Sequence, residues 1–175
     1  MRDQLEVTPK QKLACDISAI VIIVAVIALF VLAYFGVLPL PLGEIVLPAC
    51  LYALALICYS SAVIQKNPVS LWLGTAFAMP ATVTVLVDYT ALTYAELYPW
   101  YIATPGISCL VAMIFSSKGI PSLLKVALVF LFAGVIFALG SFNIIEMHFV
   151  WIAFTAYVVA IITYLAIYFG KGESK

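Results

Sequence analysis

Six apolar runs, each near twenty residues long and parted by short polar breaks, limit what this chain can fold into more than any other feature. A helix rising 1.5 Å per residue needs about twenty residues to cross a hydrocarbon core of roughly 30 Å. The runs cover residues 17–37, 45–64, 69–87, 100–116, 122–139 and 148–169. They are continuous rather than alternating, which excludes a transmembrane β-barrel. The chain therefore reads as an all-α polytopic membrane protein. Its six transmembrane helices form three consecutive antiparallel hairpins, about 17–64, 69–116 and 122–169, between an N-terminal segment (1–16) and a short tail (170–175). Composition agrees: 66% of the 175 residues are hydrophobic and 9% charged, whereas a water-exposed surface calls for roughly a quarter charged.

Charge sets the expected orientation. Arg2, Lys10 and Lys12 precede the first run, and Lys66 separates the second from the third. Lys118 and Lys125 lie between or just inside the fourth and fifth, and Lys171 and Lys175 follow the sixth. The opposite loops carry Glu44, then Asp88 and Glu96, then Glu146, with no Lys or Arg. Basic residues near span ends stay cytoplasmic during insertion, so both termini are expected inside a cell membrane. With zero net charge, no global field recruits nucleic acid. No cleavable signal peptide is expected, because the first run exceeds a signal core of roughly 7–15 residues.

Catalytic chemistry finds little to work with. An ionised residue at mid-bilayer costs about 2.5–3.5 kcal/mol on insertion scales and persists mainly where a proton, ion or substrate needs it. None of the six runs holds Asp, Glu, Lys, Arg or His near its centre. The single histidine, His148, cannot complete a His-rich metal site, and no cofactor or metal is implied. Cys15, Cys50, Cys58 and Cys109 lack metal-ligand spacing and are expected to behave as small apolar residues. Acylation of Cys15 at the inner border is the alternative.

The best candidate site is the outer face. Asp88, Glu96 and Glu146 stand there with Tyr89, Trp100, Tyr101 and Trp151 at headgroup level. Carboxylates ringed by aromatic faces can hold a cation or a cationic headgroup. The competing reading is an ordinary interfacial aromatic belt, with acids filling loops from which basic residues are barred. Asp88 abuts Val87 and is the carboxylate expected to lie deepest. Pro80 and Pro105 are expected to kink the third and fourth helices. Each frees a carbonyl, and Thr82, Thr84, Thr104 and Ser108 lie close enough in sequence to satisfy it, either around a small polar cavity or as a packing kink. Small-residue pairs at helical spacing (Ala49/Ala53, Gly74/Ala78, Ser108/Ala112, Gly134/Ala138 and Ala156/Ala160) allow close backbone approach.

Glu44, Glu96 and Glu146 recur at a period of about fifty residues, each opening an outside-to-inside helix. The second of these units, from Ala95-Glu96-Leu97-Tyr98-Pro99-Trp100-Tyr101-Ile102-Ala103 to Phe115, resembles the transmembrane hairpins of LiaF/LiaI-type bacterial cell-envelope proteins. In those hairpins an acidic or polar turn and a Trp-Pro pair open an apolar helix that contains Gly. Here the order is Pro99-Trp100, Gly106 supplies the glycine, and the soluble C-terminal domain of some members is lacking. The resemblance implies a non-enzymatic, envelope-associated membrane protein. Its partners are the lipid bilayer and a membrane protein or a second copy of the chain, with no nucleic acid. The alternative expectation is a small-molecule carrier, or the substrate-binding subunit of a transporter, with its site on the acidic, aromatic outer face.

Overall fold

The computed structural model describes residues 7–37, 41–116 and 119–170, the last six of them as backbone only. Every regular element among these residues is helical. In a medium without water each backbone polar group must be paired within its own segment, which favours helices. The elements are α1 (Pro9–Tyr34), α2 (Leu42–Gln65), α3 (Pro68–Tyr89), α4 (Tyr94–Ala112), a single 3₁₀ turn (Met113–Phe115), α5 (Ile120–Ser141) and α6 (Met147–Gly170). All six long helices are long and apolar enough to cross a membrane.

Helix ends follow cap chemistry rather than the limits of the apolar runs. α1 starts well before residue 17 because Thr8 and Gln11 form a capping box: Thr8 N donates to Gln11 Oε1 at 3.0 Å, and Gln11 N donates to Thr8 Oγ1 at 3.4 Å. Pro9, at the first helical position, has its φ already set for the helix. α4 repeats the device. Thr93 donates to Glu96 Oε2 from its backbone N (2.7 Å) and its hydroxyl (2.9 Å), so the helix starts at Tyr94 rather than near Trp100. The long loop expected over Asp88–Pro99 thus shrinks to Thr90–Thr93.

C-termini are equally explicit. Gly36 (φ 70°) ends α1 in a Schellman motif, with Val37 N on Leu32 O and Gly36 N on Ala33 O. Asn143 (φ 54°) ends α5 the same way, through Ile144 N to Leu139 O and Asn143 N to Gly140 O. Lys66 (φ 51°) closes α2, and Asn67 immediately caps α3 by accepting Val69 N at 2.9 Å. The expected turn at Pro39 and the basic residues Arg2, Lys118, Lys171 and Lys175 lie outside the described residues.

The substantial helix–helix interfaces among the described residues all join consecutive helices. Along α1 and α2, Gln11 Nε2 reaches Ile64 O (3.1 Å), Gln65 Nε2 reaches Cys15 Sγ (3.3 Å), and Ser18 meets Ser60 (3.0 Å). Between α2 and α3, Tyr59 bonds Thr75 (3.2 Å) and Tyr52 bonds Thr82 (2.9 Å). Across α4 and α5, Gly106 lies on Ala127 and Leu131 while Gly134 lies on Ala103. From α5 to α6, Gly140 meets Val150 and Tyr157 donates to Val129 O at 2.7 Å. In each of these four pairings, rising numbers on one helix meet falling numbers on the next, and α3 packs on α4 across a connection of only Thr90–Thr93, so consecutive helices are antiparallel. Lys10, Lys12, Lys66 and Lys125 consequently share one rim, and Glu44, Asp88, Glu96 and Glu146 share the other.

The result is a serpentine row. The α2–α3 and α4–α5 interfaces are the most extensive, and α5–α6 is the slightest. Burial follows position: 44% of the most apolar stretch of α4 is buried, against 6% for α1 and 6% for α6. Where helices touch most closely, glycine permits it. A Cβ on Gly106 would stand 2.8 Å from the Ala127 carbonyl oxygen, and one on Gly134 would stand 2.8 Å from the Ala103 Cβ. Without a hydrophobic drive between helices in lipid, such close backbone contact is a principal source of association.

Candidate functional site

The acidic rim does not converge on one point. Asp88 and Tyr89 occupy the last turn of α3, and both side chains are exposed. Tyr101 is also exposed. Glu146 accepts from His148 Nδ1 at 3.2 Å, with both side chains open to solvent (77% and 59% exposed). Exposed pairs of this kind contribute about 0–1 kcal/mol. Among the described residues, no three of His, Cys, Asp and Glu come together as a metal site would require.

Trp151 stays 55% exposed, yet its ring makes a packing contact. Its ring meets Phe137 edge-on at 5.5 Å, and Phe137 also contacts Phe154 (4.9 Å) and Tyr98 (5.9 Å). Phe137 is buried and stitches α4, α5 and α6 together near the acidic rim. Edge-to-face aromatic pairs add about 0.5–1.5 kcal/mol beyond the area they bury.

Two of the expected rim residues do meet. Glu96 and Trp100 border a cavity of about 270 Å³ between α4 and α5. Its walls are Pro99, Ala103 and Ile107 on one helix and Leu131, Gly134, Val135, Ala138 and Phe142 on the other. The cavity has a simple origin. Gly134 lies on Ala103 and holds the helices together, while one turn nearer the rim Ala138 is too small to fill the space. Val135 and Phe142 are 56% and 53% exposed, so the cavity opens sideways as well as toward the rim. Glu96 is the one ionisable group on it, and its Oε2 is already held by two donors from Thr93. The carboxylate is thus positioned by the same contacts that start the helix.

The hydroxyls near the prolines are used differently from the polar-cavity expectation. Pro80 and Pro105 sit half-buried inside α3 and α4. Thr84 donates to Pro80 O (3.0 Å), Thr82 to Ala78 O (2.8 Å) and Thr104 to Trp100 O (2.7 Å). A short polar side chain inside a membrane helix is readily satisfied by the carbonyl one turn back. Ser108 is fully buried, and its hydroxyl has no partner among the described residues.

Among the small-residue pairs, Gly74 is buried against the Tyr59 ring, and Ala49, Ala53 and Ala78 are half-buried. Gly134 and Ala138 lie at the α4–α5 cavity. Ala156 and Ala160 face outward and are exposed. Two features escaped the sequence reading. The apolar walls of the cavity look like any other membrane residues; the Gly134/Ala138 spacing opposite Ala103 was the available signal. The polar contacts of Gln11, Cys15, Ser18, Ser60 and Gln65 depend on the register of α1 against α2, which composition does not encode. No family model matches the chain, and no curated protein or solved structure matches it either.

Proposed function

We propose that this protein is a non-catalytic, multi-pass component of a cell membrane that acts through helix–helix contacts with another membrane protein or a second copy of itself. In this reading the six helices form three hairpins with both termini cytoplasmic, the orientation in which the lysine-bearing rim remains inside. The observation that carries it is the open row: its terminal helices α1 and α6 are each only 6% buried over their apolar stretch. On α6 the exposed face includes Ala156 and Ala160, a small-residue pair left uncovered by the other described residues. Such a face allows a partner helix to approach closely. An envelope-associated role of the LiaF/LiaI type fits the same picture.

The test is proximity cross-linking in native membranes, with the four cysteines replaced and one thiol returned at Ala156. A discrete cross-linked species is expected from Ala156→Cys and not from Val135→Cys, which is also exposed but beside the α4–α5 groove. Equal, diffuse cross-linking from both sites would contradict the proposal. The second reading, a carrier of a small molecule, is favoured by the cavity beside Glu96 and Trp100. It calls for a metabolite that co-purifies with the protein and is lost on Trp100→Ala.

A further inference from the structure

We infer that the α4–α5 groove binds a membrane amphiphile with a cationic ammonium head and one apolar tail. The head sits at Glu96 and Trp100, and the tail lies against Ala103, Leu131 and Ala138. The inference rests on the membrane-spanning reading, but not on which rim faces the cytoplasm.

Three observations converge on this ligand class. First, the groove is a cavity of about 270 Å³ whose lining is apolar apart from Glu96. Water is held in buried spaces by about two to four polar partners, and these walls do not offer them. A hydrocarbon chain suits such walls. Second, the groove is open on the side where Trp100 (47%), Val135 (56%) and Phe142 (53%) are exposed. A tail can therefore enter from the bilayer without the helices separating. Third, the charge at the mouth has one sign. Glu96 stands there with its carboxylate fixed by Thr93, and the same rim carries Glu44, Asp88 and Glu146. No Lys or Arg lies on that rim among the described residues. An anionic head would be repelled and a neutral one ignored, whereas an ammonium gains both the carboxylate and the face of Trp100.

The cap contacts of Glu96 do not compete with this role. Thr93 donates to Oε2, which leaves Oε1 to face a ligand. The arrangement also supplies a clean variant. Glutamine serves as the third residue of a capping box in this same chain, where Gln11 caps Thr8. Glu96→Gln therefore removes the charge while keeping the helix start.

The experiment uses the full chain in phosphatidylcholine nanodiscs, with Trp72→Phe and Trp151→Phe leaving Trp100 as sole reporter. The probes are a tail-brominated dodecylammonium and the corresponding dodecanol, read by quenching of Trp100. The ammonium is expected to quench saturably at a concentration about tenfold lower than the alcohol, the advantage of one desolvated cation contact. Glu96→Gln should bring that ratio close to one, and Ala138→Phe should weaken quenching by both probes by filling the groove. Glu146→Gln, on the same rim but not among the residues that line the groove, should lower the ratio far less than Glu96→Gln does. Equal quenching by the two probes would overturn the inference. So would an equal loss of preference in Glu96→Gln and Glu146→Gln, which would assign it to the general field of the rim. Helicity by circular dichroism confirms that each variant is folded, and failure of the cross-linking at Ala156 would bear on the helix-contact proposal alone.

Discussion

Three residues carry local geometry out of proportion to their size. Gly106 and Gly134 set the spacing of α4 and α5 because each meets its neighbour where a Cβ would stand 2.8 Å from another heavy atom. The Gly106 contact is with a backbone oxygen, which cannot rotate aside. Gly106→Ala is therefore expected to destabilise the protein by about 1–3 kcal/mol, the usual cost of overpacking, read as a lower melting temperature in detergent. Lys66 works in the opposite sense. It is a non-glycine residue held at φ 51°, and a left-handed backbone costs an L-residue about 1–2 kcal/mol. Lys66→Gly should leave the fold unchanged and raise stability modestly, by about 0.5 kcal/mol after the added chain entropy of glycine. A marked loss of stability in that variant would mean that the turn depends on the lysine side chain.

Among the elements, α4 shows how caps and packing divide the work. Its start is fixed by Thr93 and Glu96, its middle by Gly106 against α5, and its rimward half by Tyr98 against Phe137. Thr93→Ala removes a hydroxyl that donates to Glu96 and should cost about 1 kcal/mol, fraying the first turn. Phe137→Ala should cost more, about 3–5 kcal/mol, because that ring joins three helices. Size-exclusion melting curves would rank the two. The existence of α4 was legible from its apolar run, but its beginning was not. The run-based limit fell near Trp100, since Tyr94, Glu96 and Pro99 look like loop residues until the Thr93–Glu96 spacing is read as a capping box. The start of α1 at Pro9, ahead of its apolar run, has the same cause at Thr8 and Gln11. The site was legible in part. Glu96 and Trp100 stood out as a carboxylate and an aromatic at headgroup level. Asp88, Glu146 and Trp151 stood out equally, and only helix rotation and register separate the first pair from the rest.

Taken whole, the described residues form a row of antiparallel helices, with Lys10, Lys12, Lys66 and Lys125 along one rim, where Asp16 also lies, and Glu44, Asp88, Glu96 and Glu146 along the other. The open row accounts for the small buried fraction of its terminal helices and for a groove that opens sideways between α4 and α5. The hydrophobic lengths were readable because lipid thickness dictates them, and the rim asymmetry because insertion does. The order of neighbours followed from short connections, whereas the lack of a substantial α1–α6 interface among the described residues could not be read from any local pattern. Orientation across the membrane is the central claim drawn from that division of charge. It is tested most directly by labelling single thiols in intact cells with a membrane-impermeant maleimide, in a background lacking the four native cysteines. Glu146→Cys and Asp88→Cys are expected to label at once, and Lys66→Cys only after permeabilisation. Labelling of Lys66→Cys from outside, with Glu146→Cys protected, would reverse the orientation and place the acidic rim in the cytoplasm.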